Sequence, residues 1–469
     1  MIKLLVAVSV GALVLVLTPR LVARPARTIL PLYAATIPIG SGVKLPVPLP
    51  HPFNSFSSLL GAIAIASVLA HLILHRRGRP PTLPVAFWLA FLAWVTFTVF
   101  WAADKGAAVS TLLVAVPLVF LMLLAAILPL GRHDELILRV SVILGGLLVG
   151  VYALMLVFTG AGLAQRERGT ERFGVVSNPA TGHTNPNQVA ASLLLPIAIS
   201  LDLAIVSFSR FRHPRRWRLL GIAGTFVPLA AIVLTGSRGG VISTAVVVFL
   251  VFLFWYQRPE TKRLVHALVV RIAVVSVLLA CGLYVAVTIP SNGLIANVLE
   301  SEPIQRFVLR GTDPTGRDEI WRTGLDACKV MCGRGAGLGN FPAVFTDFFP
   351  FSGVVEITKP GDRNSHNTYL ALAVDTGMVG LSLFLLAILM EWRALSASHM
   401  YAYAPFLKAA MIGLLVANLF EDQLWFKYFW IVFLFVRVAE TAGSAAADSS
   451  AQPHEFTFAG DTLVPSHED

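Results

Sequence analysis

The sequence predicts an all-α polytopic membrane protein, and three observations carry that reading. Of its residues 56% are hydrophobic, only 13% are charged, and the mean hydropathy is +0.75, far outside the soluble range. Crossing a bilayer core takes about 20 mainly apolar helical residues. Stretches of that kind lie near 2–19, 27–45, 56–75, 81–101, 107–130, 136–159, 187–208, 219–236, 239–257, 265–289, 366–390, 405–420 and 424–440, which makes about 12 transmembrane helices, or 13.

The first stretch has only Lys3 as a leading charge, lacks a small-residue cleavage site before Arg20, and is followed closely by further apolar segments. It reads as a span and not as a removed signal peptide. Residues 1–289 thus form a transmembrane body of about ten spans, 290–365 one large insertion holding short helices, and 366–440 the C-terminal spans. The segment 441–469 carries Asp448, Glu455, Asp461, Glu468 and Asp469 without any Lys or Arg, and is expected to be a disordered cytoplasmic tail.

The net charge of +10 matters less than its placement. Basic residues crowd the short connections at Arg20/Arg24/Arg27, Arg76/Arg77/Arg79, Arg210/Arg212/Arg215/Arg216/Arg218 and Arg258/Lys262/Arg263. The positive-inside rule puts these in the cytoplasm, and in a bacterial inner membrane it puts 160–186, 236–239 and 290–365 in the periplasm. Because each basic run abuts a span end, it serves orientation and contact with membrane lipids, and nucleic acid is excluded as a partner.

The insertion has nine acidic and eight basic residues, so its arginines must act locally. Around TDPTGRDEIW, Asp313 or Thr315 is suited to an N-cap, Pro314 to a first turn, and Asp318 and Glu319 to the early helix. Arg317 then sits where free N–H groups and a guanidinium can hold one anion together, with Trp321 four residues on along the same face. The run GRGAGLGNF (333–341) has no following Lys-Ser or Lys-Thr and is expected to be a close-packed turn returning the chain to the membrane, not a phosphate loop.

Of the three cysteines, Cys281 lies in a span, while Cys328 and Cys332 are four apart in the insertion. An oxidising compartment would allow a disulfide between them, yet a helical pair at this spacing rarely has the geometry, so free thiols are the expectation. Two thiols without a nearby His pair make no zinc site. The outer segments hold no Asp-x-Asp, and Glu300-Ser301-Glu302 has the spacing of a solvated loop edge, so neither a metal nor another cofactor is expected.

Four outer-face segments could carry chemistry: Arg172 with HTNPNQ (183–188), TGSRGG (235–240), Arg306/Arg310/Arg317/Arg322, and NSHN (364–367). Arg238 lies in a short break between two apolar helices, where a charge needs a partner, a ligand or a route to the headgroups. Asn185 and Asn187 flank Pro186, a pattern that serves a turn and helix cap as well as a binding site. His183 is read as a loop residue. His366 suits either an interfacial cap or a general base, since an imidazole can exchange a proton near neutrality.

The run HNTYLALAVDTGMVG gives His366, Asn367, nine residues, Gly377, two residues and Gly380. This resembles the H-[NSQ]-x9-G-x-x-[GTY] signature of the bacterial O-antigen ligase family. NPNQVA (185–190), GSRGG, GRDEIW (316–321) and the glycine turn, in this order, extend the resemblance over roughly 160–390. It implies a GT-C-like glycosyltransferase that moves O-antigen from an undecaprenyl-pyrophosphate donor to the lipid A-core acceptor at the periplasmic face of the inner membrane, in lipopolysaccharide biosynthesis.

By position, Arg238, Arg317 and His366 match the family's essential arginines and histidine. Combined with the residue chemistry, this makes Arg238 and Arg317 the grip on the pyrophosphate, with Arg310 and Arg172 as helpers and His366 as the base of an inverting transfer. Asn185, Asn187, Trp321, Arg322 and Asn367 are expected to bind substrate. The sequence departs from the family in its divergent first spans and in a count that reaches about 13.

An O-antigen polymerase, or a protein O-oligosaccharyltransferase, would use the same donor. An R-x10-G spacing associated with polymerases occurs at Arg322 to Gly333, a weak signal among 36 glycines. A lipid-linked glycan transporter would favour ionisable residues at mid-membrane depth, and here Arg271 and Lys408 are the candidates inside spans.

Overall fold

Long runs of Leu, Val, Ala and Ile leave the backbone only its own hydrogen bonds in an apolar surrounding, and helices form along those within the described residues. The computed structural model describes residues 18–40, 55–75, 78, 82–159, 165–167, 170–174, 185–210, 214–257, 317–349, 363–397 and 404–448. After a 3-10 turn at Pro25–Arg27 come α1 (Ile29–Thr36), α2 (Phe56–His75), α3 (Leu83–Phe97), α4 (Lys105–Ile127) and α5 (Arg132–Thr159). A small antiparallel hairpin follows, β1 (Gln165–Glu167) with β2 (Thr170–Arg172), pairing Gln165 with Arg172. Then come α6 (Pro186–Ser192), α7 (Leu194–Arg210), α8 (Pro214–Thr235) and α9 (Arg238–Tyr256). The remainder consists of α10 (Arg317–Met331), α11 (Phe341–Phe348), α12 (Thr368–Ala397), α13 (Ala404–Ala417) and α14 (Lys427–Asp448).

Among the described residues, eight helices are long and apolar enough to cross a membrane, and α13 is a shorter apolar helix. This agrees with an all-α polytopic membrane protein. The expected stretch 27–45 is realised differently: α1 ends at Thr36 and the chain turns at Gly40, whose φ is 60°, so the helix is too short to span. The expected spans 265–289 and nearly all of 2–19 lie outside the described residues, as do Arg271, Arg306, Arg310, His183, Asp313–Thr315 and the tail beyond 448. The last helix continues to Asp448, past the expected start of the disordered tail at 441, because the Ala-rich stretch after Glu440 is itself a good helix former.

Small residues decide which helices approach. A Cβ at Gly221 of α8 would stand 2.7 Å from the Ser200 carbonyl and the Ala204 nitrogen of α7, and one at Gly146 of α5 would stand 2.7 Å from Pro196. The start of α14 is the innermost element, buried continuously from Tyr428 to Ala439, as a helix apolar on every side should be. Trp88 of α3 fills its near side, with edge contacts to Trp430, Phe433 and Phe384.

Among the described residues, two buried ion pairs lie inside this apolar body, neither of them expected from the sequence. Arg139 of α5 bonds Asp202 of α7, whose second oxygen accepts Trp255 Nε1–H at 3.0 Å, while the guanidinium lies over Phe406. Arg437 of α14 bonds Glu391 of α12, which also accepts Trp88 Nε1–H at 2.9 Å. The expected Lys408 instead packs its ammonium 5.3 Å from the Trp392 ring centre.

Such pairs lock helix positions, because removing one partner strands a charge out of water. Arg139→Met is expected to cost about 3 to 5 kcal/mol. Adding Asp202→Asn, which keeps an acceptor for Trp255 but removes the stranded charge, should restore part of it, as read by thermal unfolding in detergent.

Candidate active site

The sequence motifs meet at one end of the bundle, and each does so for a local reason. At the start of α9, Gly236 turns the chain with φ 60°, and Ser237 caps the helix by accepting Gly240 N–H at 3.0 Å. Arg238 follows as the first helical residue and is exposed. A Cβ at Gly239 would stand 2.8 Å from Phe420, and one at Gly240 would stand 2.3 Å from Ala190 of α6. SRGG therefore lets α9 sit directly against both NPNQVA and the turn between α13 and α14.

The hairpin joins the same end: the residue after Arg172, Phe173, donates its N–H to Leu234 O at 3.1 Å, next to the α8–α9 turn. Asn185 caps α6 through its Oδ1, which accepts Asn187 N–H at 2.9 Å. Its Nδ2 donates to Glu421 Oε1 at 3.2 Å, and Asn187 Nδ2 donates to Oε2 at 3.1 Å.

His366 stands just before α12 with φ 48°, a left-handed conformation that is costly for a residue with a Cβ. Its surroundings hold it there. Ser365 brackets the next residue, donating Oγ–H to Asn367 O at 2.8 Å and accepting Asn367 N–H at 3.1 Å. Trp321 of α10 donates Nε1–H to Ser365 O at 3.0 Å. The ring is 32% exposed, and its Nδ1 lies 3.3 Å from each oxygen of Glu421, which is 5% exposed.

Glu421 is the residue the sequence reading missed, and it is where Asn185, Asn187 and His366 meet. Burial alone would raise its carboxyl, but His366, Asn187 and the charge of Arg317 more than offset this and hold it below the usual carboxylate range. Beside it, loss of water and the Glu421 charge push Asp422 up to about 6, although the Leu424 N–H, His366 and Thr368 oppose the rise. A signal was present: Glu421-Asp422 is an acidic pair in a short turn between apolar stretches, the argument already applied to Arg238.

The remaining expected substrate residues divide. Asn367 caps α12, its Oδ1 accepting the N–H groups of Tyr369 at 3.0 Å and Leu370 at 3.1 Å. Trp321 clamps the histidine segment, and Arg322 is exposed, away from the buried face of α10. Arg310 lies outside the described residues. Within the described residues, no group of three or more His, Cys, Asp or Glu could hold a metal ion.

The glycines of the motifs form a second device. Gly377 breaks α12 at φ 71° and ψ 177°, a conformation essentially reserved for glycine. Against this break lies the glycine turn: Ala336 N–H and Gly337 N–H each donate at 2.8 Å to Val374 O and Asp375 O, and Met378 N–H donates to Cys332 O at 2.7 Å. A Cβ at Gly335 would stand 2.4 Å from Asp375 O, so the two backbones touch only because both lack side chains. The close-packed turn expected at 333–341 is thus present, and it anchors the C-terminal end of the helix that carries Arg317.

Cys328 and Cys332 correct an expectation, since they are joined by a disulfide. Cys332 lies just past the end of α10 at Met331, where the turn brings the two Cα atoms to 4.6 Å, inside the bonding range.

Residues 223–385 match the family model described as O-Antigen ligase. The signature at His366 resembles the same family, and the match is to membrane glycosyltransferases of the ligase and polymerase type. No curated protein matches the chain. Within the matched residues lie Arg238, Arg317, Trp321, Arg322, His366 and Asn367; Asn185, Asn187 and Glu421 lie outside them.

Two outcomes follow from the glycine lock and the disulfide. Gly377→Ala should lower the thermal midpoint in detergent, by the equivalent of about 1 to 3 kcal/mol for the forced backbone. Thiol labelling of the unfolded protein should find one thiol, Cys281, before reduction and three after it.

Proposed function

We propose that the protein is an O-antigen ligase, transferring a polysaccharide from an undecaprenyl-pyrophosphate donor to a sugar hydroxyl of lipid A-core. The observation that carries this reading is a partly exposed imidazole backed by a buried carboxylate that also feels the charge of Arg317, with Arg238 opening the adjoining helix. His366 accepts the proton of the attacking hydroxyl. The hydroxyl oxygen bonds to the anomeric carbon as the carbon–phosphate-oxygen bond breaks, its electron pair leaves with the lipid pyrophosphate, and the anomeric centre inverts.

Arg238 and Arg317 stabilise the charge that develops on the departing pyrophosphate, with Arg172 and Arg310 in support. Asn185 and Asn187 act through Glu421. The site faces the periplasm: the arginine clusters occupy the opposite connections, and the disulfide suits an oxidising compartment. There both substrates are held by lipid at the depth of His366.

Polymerase chemistry on the same donor is the nearest alternative. Its Arg322-to-Gly333 spacing gains little support, since Arg322 is exposed and a Cβ added at Gly333 would meet nothing within 4 Å, so no close approach requires glycine there. Transport is less favoured because Arg139 with Asp202, and Glu391 with Arg437, are closed pairs.

Purified protein, lipid-linked glycan and lipid A-core should give capped lipopolysaccharide on a gel in the presence of EDTA. His366→Ala and Arg238→Ala, each shown to be folded, should lose on the order of 100- to 10,000-fold in rate. Growth of the lipid-linked chain instead of capping would replace the ligase reading with the polymerase one.

A further inference from the structure

We propose that Glu421 is a positioning residue that fixes the tautomer of His366, placing the proton on Nδ1 and the accepting lone pair on Nε2. The inference rests on the reading of His366 as the base and names the acting atom and the group that selects it.

Three arrangements converge on this role. The carboxylate is almost wholly buried, yet both oxygens are engaged: Asn185 Nδ2 on Oε1, Asn187 Nδ2 on Oε2, and His366 Nδ1 equidistant from the two at 3.3 Å. An ionised carboxylate is an acceptor only, so the nitrogen facing it must carry hydrogen. The imidazole then has its Nε2 as acceptor, and the ring retains an exposed part through which a hydroxyl can approach. Holding the carboxylate in turn is the purpose of NPN, whose two carboxamides each spend an N–H on it.

The placement of Glu421 is also fixed through its main chain. Thr368 Oγ1 donates to Glu421 O at 3.1 Å and accepts Gln423 N–H at 3.1 Å, while Thr368 N–H donates to Asn418 O at 2.9 Å. The turn is therefore stitched to the first residue of α12, two positions after the histidine. Base and carboxylate move as one unit.

When His366 takes a proton it becomes a cation beside Glu421, and the carboxylate balances that charge where it forms. The charged groups coupled to this pair are Asp422 from the same α13–α14 turn and Arg317 from α10. Removing the Glu421 charge takes away the group that balances the imidazolium and leaves the charge of Arg317 uncompensated there. In Glu421→Gln the side-chain amide would also direct N–H groups at an asparagine or at Nδ1, and the wrong tautomer becomes favourable.

The test has two readouts. In full-length protein with 15N-labelled histidine, the His366 signals, assigned by their absence in His366→Ala, should show Nδ1–H and a bare Nε2. In Glu421→Gln they should show a mixture or the opposite tautomer, and in Glu421→Asp, which keeps the charge, the wild-type pattern should return at least in part. A wild-type Nε2–H tautomer, or one indifferent to Glu421→Gln, would overturn the proposal whether or not the glycan reaction is the one named above.

The second readout is kinetic, on whichever transfer the wild type performs from the lipid-linked donor. Glu421→Gln should lower kcat by on the order of 100- to 10,000-fold with KM little changed, and should move the acid limb of the kcat profile to lower pH. The double variant with His366→Ala should be no slower than His366→Ala alone. Additive losses with an unmoved limb would make Glu421 merely structural. An active wild type that extends lipid-linked chains would sink the ligase reading and leave the dyad standing.

Discussion

A helix end in an apolar surrounding is expensive, because its first four N–H groups and last four carbonyls have no partner in the helix and no water nearby. At the arginine-bearing end of this bundle the starts of α6, α9 and α12 and the end of α13 crowd together. The residues that make the sequence recognisable are largely the ones that satisfy those ends: Asn185 for α6, Ser237 for α9 and Asn367 for α12, with the Asn418 carbonyl taking Thr368 N–H. Even the glycine turn obeys the same constraint, since Asp375 Oδ2 accepts Gly339 N–H at 2.9 Å and the broken α12 lends its carbonyls to the loop. Capping comes first here, and the chemical groups are carried on the caps.

That order explains why the functional groups can be both charged and well placed. Arg238 follows its capping serine directly, and His366 precedes its capping asparagine directly, so neither can drift without uncapping a helix. Glu421 adds the electrostatic link. A carboxylate this deeply buried would ordinarily be driven towards its neutral form, and His366, Asn187 and Arg317 keep it charged. The contribution of that depressed carboxyl is present above the ordinary carboxylate range and is lost as pH falls through its folded value. Asp422 runs the other way: with its carboxyl raised to about 6, it lowers stability as pH climbs from the ordinary carboxylate range to about 6, and the cost is complete above that. The two neighbours thus favour opposite protonation states in one turn.

Much of this was legible in the sequence, and the parts that were not share a cause. Apolar length marked the helices, and the residues flanking them marked Arg238, Arg317, His366 and the asparagines as members of one face. The roles of Asn367 and Trp321 could not be read from that pattern, because a cap and a clamp differ from a binding residue only in where the side chain points. Glu421 escaped attention because its partners, Asn185 and His366, are far away in sequence, and only packing of α6 and α12 on the same turn brings them together. The buried pairs Arg139–Asp202 and Glu391–Arg437 escaped for the same reason: each half alone looks like a charge near a span end. The disulfide was misjudged because the helical spacing rule was applied to a cysteine that lies beyond its helix.

The two kinds of charge are kept apart in the fold. Trp255, which closes the Arg139–Asp202 pair, stands near the far end of α9, about 25 Å along the helix from Arg238. In both interior pairs an arginine meets its carboxylate together with an indole N–H. A pair satisfied in this way fixes two helices against each other, since losing either partner strands a buried charge. Among the described residues, the partly exposed imidazole and its carboxylate, held by neutral carboxamides, lie at the opposite end, so the charge that meets water is kept apart from the charge that fixes helix positions.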